Sequence, residues 1–301
     1  MPMNPRILRP LARPLLLDAV PGAAAAYSLR QLSNAYTGPV VTVRRSSDDA
    51  EEDFKASEID DGTLTAFCGA GDGLVKTWFD QSGNGRDASQ GTAAAQPKIV
   101  SSGSLVTGSG KATLEFDGVD DWLRHSPSSE WSFFHKNDCA VFMACKVGSV
   151  DNPDDVYALF GTGAISSVTV GANIFWDDRA GISFSNALRY INSTGSSNTA
   201  VIDFNNSLVA NRLSLVSALM SPSNGTLLSR ALFNINGAVT TATSSSGTGG
   251  SPSASDPANM TIGAASNIST FLDGTISELV IYPSDQTANR QRIEGDLAWY
   301  Y

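Results

Sequence analysis

The chain has 301 residues, 42% of them hydrophobic, so it can bury a large core, and β-sandwiches of such length commonly form one domain. Twenty basic residues against thirty acidic ones leave a formal net charge of −10; that field repels polyanions, and no nucleic acid partner is expected. No apolar run is long enough to span a bilayer, so no membrane insertion is expected either.

Residues 1–22 carry Pro2, Pro5, Pro10, Pro14 and Pro21 with Arg6, Arg9 and Arg13, a composition that favours an extended arm over a helix. The segment imitates a secretion signal, but its apolar core Leu15–Leu17 is hemmed in by Pro14 and Asp18, and cleavage is not expected. Ile7, Leu8, Leu11, Leu15, Leu16 and Leu17 have no reason to stay in water, and we read them as anchors that dock the arm on a neighbouring subunit. Residues 23–301 then form the folded domain. Ala25, Leu29, Leu32 and Tyr36 share a helical face, and Thr37-Gly38-Pro39 stops it, which predicts a short helix. Val40–Arg45 alternates as a strand. A second short helix is predicted near Thr63–Cys68, after the capping residues Asp60 and Asp61.

From Leu74 onward the periodic segments have β character: LVKTWFD, ATLEFDG, CAVFMACKV, VYALFG, NIFWD, GISFS, RLSLVSALM, LLSRALFNI, MTIGAA and GTISELVIY. Turn signals at Asn224-Gly225, Asn236-Gly237 and Asp273-Gly274 separate some of them. About ten short strands joined by hairpin turns predict a mainly β, antiparallel two-sheet jelly-roll sandwich. Thr243–Pro257 reads as a low-complexity surface loop. Ser284–Tyr301 closes the chain as a helix, with Ile293, Leu297 and Tyr301 on one face and Asp285 in the first turn.

Cys68, Cys139 and Cys145 lack metal-ligand spacing, and their odd number gives no full disulfide framework. Cys139 and Cys145 lie on one predicted strand, roughly 20 Å apart and too far to bridge. They are expected to be buried thiols, which fits folding in a reducing cytoplasm.

Between Ala23 and Gln90, the blocks AYSLRQLSNAYTGPVVTVRRSSD and GDGLVKTWFDQSGNGRDASQ form a long pattern. It resembles the opening of the catalytic domain of fungal α-L-arabinofuranosidases of the concanavalin-like type, and resembles even more bacteriophage and prophage virion proteins that carry the same block. FLDGTISELVIYPSD resembles the final strand of laminin-G-like and concanavalin-like sandwiches. The resemblance implies a concanavalin A-like sandwich, and it implies where catalytic carboxylates would lie. Retaining glycosidases need two of them about 5 Å apart. Aligned on the resembled enzymes, the nucleophile glutamate corresponds to Ala164 and the acid/base aspartate to Ala265, and alanine can neither attack nor donate a proton.

Other residues offer binding chemistry. Trp176, Asp177, Asp178 and Arg179 place an aromatic face beside polar side chains, as sugar binding requires, with the competing reading of a polar turn beside a core tryptophan. Asn267 is a further glycan-binding candidate, and Trp122 beside Asp120 and Asp121 has the same two readings. Asp80-Gln81-Ser82-Gly83-Asn84-Gly85 resembles the start of a calcium loop, but Gly91 stands at the twelfth position, and the motif is read as a tight turn. No cofactor is expected, and nothing in the sequence locates a calcium ion. His125 and His135 are read as ordinary surface or strand-end residues.

The resemblance therefore implies a non-enzymatic virion structural protein, a capsid- or tail-attached decoration or fibre component. It would be made in the host bacterial cytoplasm, bind other virion proteins through residues 1–22 and present a lectin-like face to host-surface glycans. A homo-oligomer is expected, trimers being common among such proteins, although no heptad or collagen repeat here supplies a trimerisation device. The alternative reading is an active arabinofuranosidase-like glycoside hydrolase acting on host polysaccharide.

Overall fold

The computed structural model describes residues 13–148, 156–163, 170–177, 187–194, 199–205, 208–249, 253–268 and 270–301. The early strands are β1 (Ala25–Ser28), β2 (Val41–Arg45), β3 (Gly73–Trp78), β4 (Leu114–Asp117) and β5 (Leu123–His125). The long β6 (Cys139–Val147) precedes a meander of β7 (Val156–Gly161), β8 (Gly171–Asp177), β9 (Ala187–Ser193) and β10 (Thr199–Phe204). β11 (Ser214–Met220), β12 (Ala231–Ile235), β13 (Ser244–Gly247), β14 (Met260–Ile262) and β15 (Asp273–Tyr282) follow. The α-helices are α1 (Leu16–Ala19), α2 (Ala56–Asp60), α3 (Thr63–Cys68), α4 (Phe133–Lys136) and α5 (Arg290–Tyr300).

Antiparallel pairings build two layers. In the first, β15 is central, with β6 along one edge and β1 and β4 sharing the other. β11 and β12 extend this sheet beyond β6, while the strand Lys98–Ser101, β3 and β2 extend it beyond β4. The second layer runs from Ala88–Ser89 through β5, β14, β7, β8, β9 and β10 to β13. β3 belongs to both: its start pairs with Lys98–Ser101 and its end with Ala88–Ser89, which joins the layers along one side.

The predicted two-sheet sandwich is therefore the fold, and its core follows from strand alternation. In β6, Cys139, Val141, Met143, Cys145 and Val147 enter the inter-sheet core, while Ala140, Phe142 and Ala144 face outward. The outward set stays dry because Ile293 and Leu297 of α5 and Leu16, Leu17 and Val20 of the N-terminal segment cover it. That double burial explains why CAVFMACKV reads as a continuous apolar run rather than an alternating one. The three cysteines are free and buried, as expected; burial pushes the Cys145 thiol up to about 12 and Cys139 higher still.

Several expectations need correction. The region around Ala25–Tyr36 does not form a helix: Ala25–Ser28 pairs with Leu279–Ile281 and Glu278 of β15, so tertiary pairing overrides the helical spacing. Leu16 and Leu17, taken as anchors for a neighbouring subunit, are 1% and 8% exposed and pack on the chain's own first sheet. The Leu17 amide donates to the Leu32 carbonyl and the Tyr282 hydroxyl to the Val20 carbonyl, which fixes this segment to the domain. Leu15 is half-buried, and Ile7, Leu8 and Leu11 lie outside the described residues. The strand GISFS also lies outside them. β9 and β10 lie outside the predicted strands, and β13 falls within the predicted loop, where Ala200–Asp203 pairs with Ser244–Gly247. Asn236-Gly237 is the expected hairpin turn, with both residues at positive φ, whereas Asp273-Gly274 begins β15 instead of turning before it. Asp285 lies before α5 and accepts the Thr287 amide. Among the described residues, no helix is long and apolar enough to cross a membrane.

A buried ion network closes the first sheet. Glu278, fully buried on β15, accepts two N–H bonds from Arg30 at 2.8 and 2.9 Å and one from the Ser28 hydroxyl at 2.8 Å. Arg30 also reaches Asp296 of α5 at 2.6 Å, and the Tyr301 hydroxyl donates to the Ser277 carbonyl. Removing one member leaves a buried charge without its partner, which costs roughly 3–5 kcal/mol. Arg30→Met should therefore lower stability in a urea titration by about that amount, and the double variant Arg30→Met/Glu278→Gln should recover part of it.

Candidate functional site

With α1 and α5 covering the outer face of the first sheet, the outer face of the second sheet is the surface to examine. One register row crosses it. Ser89 and Thr261 both pair with Arg124; Thr261 also pairs with Gly161, Gly161 with Asn173, Asn173 with Ile191, Ile191 with Val201, and Val201 with Ser246. Directly paired residues share a face, and the flanking Leu123, Ile262, Ile174, Tyr190 and Ile202 point into the core. The row therefore lies on the outward side of that layer; its middle, Thr261, Gly161, Asn173 and Ile191, is buried, while Arg124 and Val201 are half-buried and Ser89 and Ser246 at its two ends are exposed. Its close contact is made by a glycine: a Cβ at Gly161 would fall 2.0 Å from the Asn173 side-chain oxygen.

A second row holds charge. Arg189 donates from Nη1 to Asp177 Oδ2 and from Nε to Asp203 Oδ1, both at 2.6 Å, and the Ser244 hydroxyl donates to Asp203 Oδ2 at 2.9 Å. Asp177 and Asp203 are almost fully buried, so each carboxylate is tied to the shared guanidinium. Beside them, Ala158, Phe175 and Ile191 form an apolar patch against Ala265, which is 0% exposed. The Ala265 amide donates to the Thr270 carbonyl, and its own carbonyl accepts the Ile268 amide, which closes a tight turn with Ile268 at φ 56°. A carboxylate at position 265 would enter an apolar setting, where an unpaired charge is strongly disfavoured. Ala164 lies outside the described residues.

The glycan-binding candidates separate. Trp176 points inward and is fully buried, stacked on Tyr157 with ring centroids 5.6 Å apart and planes 3° from parallel. It cannot stack on a sugar, because strand alternation puts Trp176 in the core and Asp177 on the outer face. Asp178 and Arg179 lie outside the described residues. Asn267 is exposed on the turn after Ala265. Trp122 is half-buried, with the Arg124 guanidinium 4.7 Å from its ring centroid. The candidate set therefore did not contain Arg124, Asn173, Arg189 and Asp203. The alternation of β5, β8, β9 and β10 places them outward, but only cross-strand register shows that they share one face.

The Asp80 loop is structural, as expected. The Asp80 carboxylate accepts the amides of Ala26, Ser82 and Arg86 and the Ser82 hydroxyl, and Gly83 and Gly85 supply positive φ. His125 ends β5, as one of the two readings expected, but neither histidine is at the surface: His125 is 8% exposed and His135, on α4, is fully buried. His125 lies between the Asp87 carbonyl and the Glu130 carboxylate, and burial pulls His135 down to about 4, which leaves it neutral. The carboxylates of Asp117, Asp120 and Asp121 offer ligand atoms within 4.8 Å of one another, a donor set suited to a hard cation. Burial first and the Asp117 charge second push Asp121 up to about 7.

The fold defines a class, a mainly β, antiparallel two-sheet sandwich. Residues 17–116, a third of the chain, match the family model for the catalytic domain of alpha-L-arabinofuranosidase B. No curated protein sequence matches. Among solved structures, an arabinofuranosidase complexed with arabinofuranosyl-α-1,2-xylobiose is similar at a TM-score of 0.56 and 16% identity, covering 94% of this chain and 64% of that one. A mutant GH54 α-L-arabinofuranosidase soaked with 4-nitrophenyl α-L-arabinofuranoside gives 0.55 and 16%, covering 91% and 62%. The chain thus spans somewhat less than two thirds of either enzyme, and at this identity the likeness is one of fold.

Two outcomes test these placements. Trp176→Ala should cost roughly 3–5 kcal/mol in urea unfolding, as the loss of a core aromatic does. For Asp121, the folded pKa lies above the unfolded one. Between pH 4 and 7 the native state therefore holds the extra proton, and stability falls as pH rises through that window. Asp121→Asn should raise the melting temperature at pH 8, with the gain disappearing toward pH 4.

Proposed function

We propose that the chain is a non-catalytic carbohydrate-binding sandwich whose ligand face is the outer surface of its second sheet. The observation that carries this reading is Ala265, buried among Ala158, Phe175 and Ile191 where the resembled enzymes place the acid/base aspartate. The carboxylates beside it offer no replacement, since Asp177 and Asp203 both hold Arg189. Retaining hydrolysis needs one carboxylate free to attack and one free to donate a proton.

The virion role is a further proposal, supported by the resemblance of Ala23–Gln90 to phage proteins. In it, the sandwich is a structural component displayed on a particle, with the residues before Leu15 as the attachment segment.

Purified chain should release no nitrophenol from 4-nitrophenyl α-L-arabinofuranoside beyond buffer, while the labelled chain should bind members of a glycan array. Hydrolysis that scales with protein concentration and persists through repurification would overturn the non-catalytic reading. An array blank at tens of micromolar chain would overturn the binding reading.

A further inference from the structure

We propose that Arg124, with Trp122 and the turn Ala265–Ile268, forms a receptor for the carboxylate of an acidic sugar at one end of the ligand face. This inference rests on the glycan-binding reading above and names the ligand class at that face.

The argument starts from charge balance. In a chain with 30 acidic residues against 20 basic ones, a half-buried arginine should find a carboxylate easily. Arg44, Arg45, Arg86 and Arg189 each do. Arg124 does not: among the described residues, its contacts are the Ser266 carbonyl at 2.8 Å, the Thr261 hydroxyl at 3.4 Å and the Trp122 ring. Burial alone pulls its guanidinium below the ordinary arginine value, with no acidic neighbour acting in the opposite direction. A cation partly withdrawn from water without a counter-charge is unfavourable, and a ligand carboxylate would relieve it.

Geometry narrows the ligand. A guanidinium carries five N–H groups in one plane. Nε points at Thr261 and one Nη2 hydrogen at the Ser266 carbonyl, so Nη1 and the remaining Nη2 hydrogen form an uncommitted parallel pair. Such a pair matches the two oxygens of a carboxylate. The Trp122 ring holds the guanidinium plane in place, which reduces the entropy lost on binding.

The surroundings are polar and unspent. Among the described residues the Ser266 hydroxyl has no hydrogen-bond partner but is closed off from solvent, whereas the next residue, Asn267, presents an exposed amide. The Asn267 amide is suited to a sugar hydroxyl beside a bound carboxylate. The net charge of −10 does not steer acidic glycans toward the chain, but screening limits that field to about 8–10 Å in physiological salt. The contact at Arg124 is short-range and decides the outcome.

The test uses the full chain on an array of uronic- and sialic-acid glycans, each printed beside its methyl ester. The acids should bind and the esters should bind at least tenfold more weakly. Arg124→Gln should lose at least tenfold on the acids while leaving any neutral-glycan binding unchanged, and Arg124→Lys should fall between, since it keeps the charge but not the fork. Adding a bound acid to the unmodified chain should also change tryptophan emission, a readout that survives if a variant fails to fold. Equal binding of acids and esters, wild-type affinity in Arg124→Gln, or binding confined to neutral glycans would overturn this inference and leave the glycan-binding reading standing. A wholly blank array would overturn both.

Discussion

The constraint on which the rest of the structure depends is the burial of Glu278 in the middle of the first sheet. A carboxylate there tolerates the loss of water only because Arg30, Ser28 and Tyr301 supply hydrogen bonds to it. Those partners are the last residue of β1, an arginine two residues on, and Tyr301 after α5, so one charge ties the first strand to the segment that follows the last one. Asp296 extends the arrangement into α5 and sets where that helix lies. With the helix placed, Ile293 and Leu297 cover the outward residues of β6 and β15.

The outward side of the second sheet carries the residues on which the glycan-binding proposal rests. Its charges are arranged unevenly. Around Arg189, two carboxylates face one guanidinium, and that end is internally satisfied. At Arg124, a guanidinium has no carboxylate partner among the described residues. Arg124 lies near one end of the sheet, on β5, and Arg189 lies inside it, between β8 and β10. Internally paired charge stabilises a surface; unpaired charge leaves it ready for a partner.

Much of this was legible in the sequence, and the parts that were not share a physical cause. The exact spans of β6 and β7 followed from their apolar runs, the Asn236-Gly237 hairpin from its turn chemistry, and the structural role of the Asp80 loop from its glycines. The first strand failed because Ala25, Leu29, Leu32 and Tyr36 satisfy helical spacing while the free edge of β15 offers better hydrogen bonding. β13 failed because Ser244–Gly247 is a strand only by virtue of pairing with β10. Trp176 illustrates the limit for sites: the residue types were suitable for a sugar, but strand parity put the indole inside. Arg124 is the converse case, since nothing in WLRH shows that its neighbours across the sheet lack acidic side chains.

Ala265 connects the fold to the non-catalytic proposal. In the enzyme-like reading, the turn after β14 presents a proton donor, which needs a polar setting to hold and release charge. Here the same turn is tied by two backbone hydrogen bonds and packs its one methyl group against Phe175 and Ile191. Replacing the methyl with a carboxylate would therefore not restore a catalytic acid, because the surrounding patch would keep it protonated or push it out. The change extends beyond one side chain to its apolar setting. The backbone of the turn retains a use: the Ser266 carbonyl, one residue on, holds the Arg124 guanidinium in position. The turn is thus suited to hold a cation.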